Sequence, residues 1–230
     1  MFDRTPEITI MKIRSTMVNH LGNNMTTKLF SVAAATAMLL AACAQPTAEP
    51  TKAPILLPPI SRHVDYELEL AIVIGAQGSR IPVANALDHV AGYAVYNDIS
   101  SRKLVIAEGR SVRDGDGFYD WLMGKWQDNS GPMGPYLVTR DEVPNGDNLD
   151  MKLWVNGELR QNSNTSKMIF NIAEIVAFCS TLVTLQVGDI IATGTPSGVG
   201  DASGTYLKAG DVVRCEIEML GVLENTVQGG

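Results

Sequence analysis

The segment His63-Val-Asp-Tyr-Glu-Leu-Glu-Leu-Ala-Ile-Val-Ile-Gly75 is the part of the chain that most strongly indicates its fold and its chemistry. Apolar residues alternate in it with a second set that includes Glu67 and Glu69, which is the periodicity of a β-strand. Residues i and i+2 of a strand project to one face, so the two carboxylates lie side by side, roughly 7 Å apart at the backbone. Such a pair either faces water or holds a hard divalent cation.

A third carboxylate stands at the end of a second predicted strand, within Gly92–Arg102. Asn97 and Asp98 interrupt its apolar run, although Asn and Asp are poor strand residues. They mark either a turn into a loop or a functional position. Three carboxylates with no Cys or His nearby suit Mg²⁺, Mn²⁺ or Ca²⁺ and do not suit Zn²⁺.

Several short motifs follow one another in a characteristic order between Pro58 and Gln228. They are Val64–Gly75, Val90–Tyr93 followed by Asn97 and Asp98, Gly131–Pro135, Val155–Glu158, Gln161 with Asn164 and Thr165, Met168–Phe170, Gly188 with Asp189, and Thr193–Gly200. As an ordered set, these motifs resemble the fumarylacetoacetate hydrolase family. The resemblance implies an α+β, β-rich fold, the mixed β-sandwich roll of that family's C-terminal domain, and a homodimer.

The same resemblance implies a role for each matching residue. It makes Glu67, Glu69 and Asp98 the ligands of a divalent metal, Mg²⁺ first and Mn²⁺ or Ca²⁺ as alternatives. It places Lys125 near that metal as a catalytic residue, although an exposed lysine is the ordinary interpretation of the sequence alone. The residues that follow, Trp126-Gln127, depart from the family pattern.

The resemblance also implies a substrate-binding set. It consists of Gly194, Thr195, Arg102 and Gln161, with Thr195 catalytic as well. The loop Thr193–Gly200 is similar to a phosphate-binding loop but lacks the Gly-Lys-Ser/Thr ending, which argues against a nucleotide. The resemblance implies that its N–H groups and the Thr195 hydroxyl hold the substrate carboxylate, and a tight connection between strands is the alternative. Arg102 pairs with a carboxylate or is solvated.

The remaining pattern predicts a few further elements. A short helix is expected over Pro82–Ala91, and a long functional loop over Val112–Trp126. A hairpin that turns at Asn156-Gly157 is expected between residues 149 and 159. A long helix is predicted over Ser166–Thr184, capped by Asn164, Thr165 or Ser166. The residues expected on its buried face are Ile169, Ile172, Ala173, Val176, Cys179 and Val183.

Composition sets limits on function. The chain has 230 residues, of which 45% are hydrophobic, and a net charge of −7. An acidic chain without a Lys/Arg cluster argues against nucleic acid as a partner. Cys179 and Cys215 fall in apolar segments and are expected to be buried thiols, because the cysteine spacing fits neither a disulfide framework nor a zinc site.

The first 57 residues are predicted to be a leader, ahead of a catalytic domain over residues 58–230. Lys28, an apolar run of about 14 residues and Leu40-Ala-Ala-Cys43 have the form of a secretory signal over residues 25–43. The last four residues resemble a bacterial lipobox, which implies a lipid on Cys43 and a Pro/Thr-rich tether after it. We therefore expect an exported, periplasmic or membrane-anchored lipoprotein that meets the membrane by its lipid alone. The alternatives are a buried helix, or a cytoplasmic protein if the leader is an artefact of the gene model.

The predicted reaction is hydrolytic cleavage of a C–C bond in a small 2-oxo acid of the 1,3-dicarbonyl, acylpyruvate type. The family resemblance leads us to expect a water-activating His-x-x-Glu pair ahead of the Glu67 strand, but His20 is followed at the third position by Asn23. His63 is the candidate substitute, although a structural role is expected for it. Decarboxylation of a 2-oxo diacid, keto–enol isomerisation, or a surface-anchored binding protein with impaired catalysis are the alternatives.

Overall fold

The computed structural model of the chain describes residues 9–11, 53–107 and 109–230. The strands in these ranges are β1 (Thr9–Met11), β2 (Ile55–Leu57), β3 (His63–Asp65), β4 (Leu68–Ile74), β5 (Val90–Asn97), β6 (Ser100–Arg102), β7 (Met133–Thr139), β8 (Asp150–Val155), β9 (Glu158–Asn164), β10 (Ile190–Ala192), β11 (Val212–Ile217) and β12 (Gly221–Gly229). The helices are α1 (Asp116–Met123), α2 (Ile172–Leu182) and α3 (Gly200–Ser203), with 3-10 segments at Val83–His89, Arg140–Glu142 and Thr165–Lys167.

Two sheets and a small ribbon organise these strands. The first sheet has the order β1-β10-β4-β5-β7, and every neighbouring pair in it is antiparallel. The second has the order β2-β12-β11-β8-β9, with β2 and β12 parallel and the other pairs antiparallel. β3 pairs with β6 as a two-stranded ribbon. The prediction of a β-rich, mixed fold is confirmed.

The main core lies between the two sheets. Leu68, Leu70 and Ile72 of β4 are fully buried in it, together with residues such as Leu153 of β8 and Val213 of β11. Burying each such side chain contributes about 1.5–3 kcal/mol. The predicted alternation of β4 is therefore confirmed, because the leucines and isoleucines of this strand share one face.

The opposite face of β4 is also covered. Ala71 packs there in a small cluster with Ala94, Tyr96, Ile190 and Ala192. Glu69 has the same parity as Ala71, so its carboxylate belongs to this second, enclosed side of the sheet. A strand buried on both faces must compensate any charge that it carries.

The predicted hairpin forms as expected. β8 and β9 are joined at Asn156 and Gly157, whose φ values of 52° and 80° are both in the left-handed region. That geometry is the primed turn that matches the twist of two antiparallel strands. The short helix before β5 is also present, as a 3-10 helix over Val83–His89.

The prediction of a loop over residues 112–126 is wrong, because α1 lies inside it. The Asp116 carboxylate accepts a hydrogen bond from the Arg113 N–H at 2.9 Å and thereby closes the turn that precedes the helix. The Gly and Asp residues that suggested a loop are concentrated near the two ends: Gly115 precedes the helix with a φ of 87°, and Gly124 follows it. Between them the apolar side chains have helical spacing.

The long helix is shorter than predicted. α2 begins at Ile172, and its N-cap is Asn171, whose side chain and that of Glu174 form a reciprocal capping box. The predicted start at Ser166 is wrong because Thr165–Lys167 closes a separate 3-10 turn. The expected buried face is confirmed for Ile172, Val176 and Cys179. It is wrong for Ile169, which is 68% exposed, and for Val183.

The predicted signal over residues 25–43, including Cys43, lies outside the described residues and stays a prediction. Two short parts of the predicted leader belong to the folded sheets, since β1 pairs with β10 and β2 pairs with β12. Across residues 9–11, 53–107 and 109–230, no helix is long and apolar enough to cross a membrane. Within the described ranges, Cys179 and Cys215 form no disulfide, and both are buried as expected.

The capping box of α2 gives a direct test of where this helix begins. Asn171→Ala removes the acceptor for the Glu174 N–H, so the free energy of unfolding should fall by about 1 kcal/mol. Ser166→Ala, at the predicted start, should change it by less than about 0.5 kcal/mol. Urea unfolding of the two variants measures both values, and equal losses would contradict the observed start.

Candidate metal centre

The pairing of β4 with β5 brings the three predicted carboxylates together. The strands run antiparallel with Glu69 opposite Tyr96, and the Asp98 N–H donates to the Glu67 carbonyl at 2.8 Å. Glu67, Glu69 and Asp98 each offer a carboxylate oxygen within 4.8 Å of the other two. All three residues are buried, with Glu69 only 2% exposed.

Lys125 lies inside this acidic cluster. Its Nζ is 2.7 Å from Glu67 Oε2 and 2.7 Å from Asp98 Oδ2. The lysine is itself 3% exposed, so it is one of the buried charges and not the exposed lysine that the sequence alone suggests. Its ammonium compensates two of the three carboxylates in a region that water does not reach.

Gly124 allows the end of α1 to place Lys125 in the acidic cluster. A Cβ at Gly124 would lie 2.2 Å from the Ser101 carbonyl oxygen, so only glycine allows the end of α1 to approach β6 this closely. The contact is fixed by the Ser101 N–H, which donates to the Gly124 carbonyl at 2.9 Å. Ser130 also donates to the Lys125 carbonyl at 3.0 Å.

Arg102 and Asp65 form the second charged layer. Arg102 pairs with Glu67, and its Nη2 lies 3.4 Å from Asp65 Oδ2. Of the two sequence interpretations, pairing with a carboxylate is therefore the one observed. Asp65 also accepts backbone N–H groups from Gly200 at 2.6 Å and Asp201 at 3.0 Å, which ties α3 to the ribbon.

The loop predicted to hold the substrate is fastened to β4. The Gly194 N–H donates to Glu69 Oε2 at 2.9 Å, and the Thr195 hydroxyl donates to the Leu68 carbonyl at 2.9 Å. Gln161 is fully buried beneath the loop. Its Nε2 donates to Thr195 Oγ1 at 2.8 Å, while its Oε1 accepts the Leu68 N–H at 3.0 Å.

The predicted residues thus fall into two groups. The first group consists of Glu67, Glu69, Asp98, Lys125 and Arg102. Its three candidate ligands lie within 4.8 Å of one another, and its two cationic side chains form ion pairs with them. Gly194 touches this group through Glu69, whereas Thr195 and Gln161 are hydrogen-bonded to backbone and to each other.

The two histidines of the described chain have other partners. His63 packs edge-on against Tyr206, with ring centroids 4.7 Å apart. His89 makes a hydrogen bond between Nδ1 and the Ala76 carbonyl at 3.0 Å.

Asp65 is the residue of this site that sequence reasoning missed. It stands two residues before Glu67 in the quoted segment, so strand periodicity already placed it on the side of the two glutamates. Asp65 is fully buried, and this burial marks it as part of the site. Strand periodicity alone does not predict burial.

Burial and mutual repulsion shape the proton affinities of the site. Burial raises the pKa of Glu69 well above its usual value, and the charges of Asp98 and Glu67 raise it further. Burial also raises the pKa of Asp98, although Lys125 opposes that shift. For Lys125, burial lowers the pKa, but Glu67 and Asp98 outweigh it and the net shift is upward, so this lysine is an ammonium.

The donor set fits a hard divalent cation. Every candidate ligand atom of the cluster is a carboxylate oxygen, the chemistry that Mg²⁺, Mn²⁺ and Ca²⁺ prefer. The site contains four carboxylates, those of Asp65 and the three candidate ligands. It also contains two cationic side chains, those of Lys125 and Arg102. When all are ionised, the formal charge is −2, which a divalent cation would neutralise. Glu67, Glu69 and Asp98 would hold it.

Known proteins are similar to this chain in sequence. The family model "Fumarylacetoacetate (FAA) hydrolase C-terminal" matches residues 11–228. The mitochondrial oxaloacetate tautomerase FAHD2B of Bos taurus is 47% identical over 175 residues, which are 75% of this chain and 53% of the bovine protein. The chain thus spans about half the length of the curated relatives that it matches.

Solved structures are also similar to this chain, in fold as well as in sequence. A maleylpyruvate hydrolase from Sphingobium sp. SYK-6, in complex with manganese(II) and pyruvate, superposes with a TM-score of 0.66 at 38% identity, covering 79% of this chain and 60% of the hydrolase. A 2-hydroxyhepta-2,4-diene-1,7-dioate isomerase from Mycobacterium marinum has a TM-score of 0.67 at 36% identity, covering 77% of this chain and 64% of the isomerase.

The raised pKa values of Glu69 and Asp98 predict how metal-free stability depends on pH. A carboxyl whose pKa is higher in the folded than in the unfolded chain stabilises the fold below its unfolded pKa, and this contribution is lost as pH rises through the folded pKa. Glu69→Gln stays neutral at every pH. In EDTA, the variant should therefore gain stability relative to wild type between pH 5 and pH 8, by at most about 1.4 kcal/mol per pH unit.

Urea unfolding at several pH values measures that difference. Glu142→Gln, at an exposed glutamate, is the matched control and should show no such trend. With Mn²⁺ present, wild type should become the more stable protein, because a ligand that binds only the folded state stabilises it. A difference that does not change with pH would contradict the buried-acid interpretation.

Proposed function

The chain belongs to the fumarylacetoacetate hydrolase family, whose members include hydrolases, isomerases and tautomerases, and we propose that it is a divalent-metal-dependent enzyme acting on small 2-oxo acids. The observation that carries the proposal is the buried set of Glu67, Glu69 and Asp98 around the Lys125 ammonium. Buried charges of this kind are costly to fold, so their presence favours a functional role over a structural one.

Each part of the site has a task in such an enzyme. When bound, the cation, Mg²⁺ or Mn²⁺, would supply Lewis-acid polarisation of carboxylate and keto oxygens. Lys125 contributes a fixed positive charge in a region of low dielectric constant, where it stabilises the negative charge of an enolate oxygen. Arg102 orients Glu67 by pairing with it, so its effect on the substrate is indirect.

The reaction that we propose first is keto–enol tautomerisation of a 2-oxo diacid such as oxaloacetate. Its support is the identity of 43–47% to curated oxaloacetate tautomerases over three quarters of this chain. The reaction needs a stabilised enolate, and the charge of the Lys125 ammonium contributes to that stabilisation. We therefore propose keto–enol isomerisation, which the sequence raised as an alternative, in preference to hydrolysis.

Cleavage of a C–C bond in an acylpyruvate is the second candidate. The structural likeness to a maleylpyruvate hydrolase crystallised with manganese(II) and pyruvate favours it. Hydrolysis requires in addition a group that activates water, a contribution of about 10²–10⁴-fold in rate. His63 and His89 are engaged elsewhere in the structure, and His20 lies outside the described residues.

Gln161 and Thr195 take a supporting role in this proposal. Their hydrogen bonds hold the loop after β10 against β4, which aims the Gly194 N–H at Glu69. We propose that they position the loop, and that the substrate meets the loop through its backbone N–H groups.

Assembly and location are further proposals. A homodimer follows from the family resemblance alone. Export as a lipoprotein anchored through Cys43 is supported by the signal-like pattern of residues 25–43, and a cytoplasmic protein is the alternative if that leader is an artefact.

Three reactions of two substrates, oxaloacetate and acetylpyruvate, are compared side by side to test the function. The full chain is stripped with EDTA, reloaded with Mg²⁺ or Mn²⁺, and assayed for the ultraviolet signal of enol-oxaloacetate, for oxaloacetate decarboxylation and for acetylpyruvate cleavage. We expect metal-dependent tautomerisation to be fastest. Lys125→Met should lower its kcat by about 10²-fold or more, as for loss of one preorganised charge.

Lys167→Met, at an exposed lysine, is the matched control and should leave the rate unchanged. Faster acetylpyruvate cleavage would favour the hydrolase assignment, and faster decarboxylation the decarboxylase. Metal binding without turnover of either substrate would support a binding protein and contradict the proposal.

A further inference from the structure

An aromatic surface extends along α1 from the candidate metal centre to the solvent. Lys125 Nζ lies over the Trp121 ring, 5.9 Å from its centroid. The Phe118 ring follows, with its centroid 6.0 Å from that of Trp121 and an angle of 30° between the two planes. Lys125 is buried, Trp121 is partly buried and Phe118 is 60% exposed. The two rings therefore connect the buried ammonium with the outside of the protein.

Packing of the fold does not account for these rings. Phe118 keeps most of its surface in contact with water, and so does Tyr119, whose ring centroid is 5.7 Å from that of Phe118. Single exposed apolar side chains are common, but a contiguous group of them marks a binding surface. Because this group begins at Lys125, we assign it to the same site as the three carboxylates.

The acidic side chains of α1 lie on the opposite side of the helix. Successive residues of an α-helix are rotated by about 100°, so Phe118 and Trp121 share one side. Asp116 and Asp120, four residues apart, share the other side by the same geometry. The helix thus has an aromatic face and an acidic face.

The acidic face is compensated by the segment that precedes the helix. Arg110 donates to the two oxygens of Asp120 at 2.9 and 2.7 Å, and Arg113 Nη2 lies 3.3 Å from Asp116 Oδ1. Both arginines are thus paired with acids of the helix itself. A group that contacts the aromatic face therefore meets apolar ring surface, which favours an apolar group over a second carboxylate.

We propose that Trp121 and Phe118 contact the C3 substituent of the substrate, and that the site accepts 2-oxo acids in which this substituent is an aryl group. The inference rests on the proposed function and extends it from oxaloacetate to acids such as phenylpyruvate. The same reaction applies to both acids, because one proton leaves C3 and one is added to the keto oxygen whatever the substituent is.

The spacing of the rings suits such a substituent. A 2-oxo acid that meets the three-carboxylate site through its carboxylate and keto oxygens carries its C3 substituent away from those oxygens. Aromatic rings attract one another at centroid separations of about 4.5–7 Å in tilted or offset arrangements. Trp121 and Phe118 already have this relation, so a phenyl group beside Trp121 adds a third ring to the same array.

Steady-state tautomerisation of phenylpyruvate and oxaloacetate by the full chain loaded with Mn²⁺ tests the inference. The two acids share the 2-oxo acid group and differ at C3, where one has a phenyl ring and the other a carboxylate. We expect turnover of both. Phe118→Ala and Trp121→Leu should each lower kcat/KM for phenylpyruvate, relative to that for oxaloacetate, by about threefold to tenfold and chiefly through KM, as for loss of one aromatic contact.

Calorimetry gives a second result that does not depend on turnover. N-Phenyloxamate has the shape of phenylpyruvate, but nitrogen replaces C3, so it has no C–H proton to transfer. With Mn²⁺ present, it should bind about threefold or more tightly than oxamate, which lacks the ring. Phe118→Ala should reduce that difference.

Two control variants lie elsewhere in the fold. Phe178→Ala removes an exposed phenylalanine of α2. Trp154→Leu removes a partly buried tryptophan of β8 that also has a cation over its ring, Arg214 at 5.5 Å. Both controls should leave the ratio of the two kcat/KM values as in wild type.

The possible failures are distinguishable. Turnover of oxaloacetate without turnover of phenylpyruvate, or equal affinity for N-phenyloxamate and oxamate, would overturn the inference and leave the proposed function intact. Equal losses with both substrates in the two variants would also overturn it, because the rings would then support Lys125 alone. If neither substrate is turned over, the proposed function fails and calorimetry alone decides the aromatic contact. If Trp121→Leu does not fold, Phe118→Ala decides, since that side chain is exposed.

Discussion

The burial of three carboxylates around one ammonium is the interaction on which the rest of this structure depends. Charges that cannot reach water must be compensated where they lie. β4 and β5 supply the acids through their antiparallel register, and the end of α1 supplies Lys125. Each element that touches the site is thereby held in a defined place, because a displaced strand or helix would leave a buried charge without its partner.

The second layer of contacts extends that constraint outward. Asp65 joins Arg102 to the start of α3, and Gln161 joins β9 to the loop after β10. These residues link the site to both sheets through hydrogen bonds between distant parts of the chain. A family whose members include hydrolases, isomerases and tautomerases can keep this scaffold while the groups that face the substrate differ.

Much of this arrangement could be predicted from the sequence, and the rest depends on tertiary contacts. Strand alternation placed Glu67 and Glu69 on one face without any structure. That Asp98 joins them depends on the register between two strands, which the family resemblance implied and periodicity does not contain. The burial of Lys125 depends on Gly124 approaching Ser101, a contact across the fold. The start of α2 was misplaced because several Asn, Ser and Thr residues compete as caps, and only the structure shows that Asn171 is used.

The most direct measurement of the central claim is anomalous diffraction from crystals of the full chain grown with Mn²⁺. We predict one manganese peak bound by carboxylate oxygens of Glu67, Glu69 and Asp98, at roughly 2.1–2.3 Å from each. A peak at other acids would contradict the assignment of this cluster as a metal centre. So would a cluster without manganese in which Lys125 keeps both of its ion pairs.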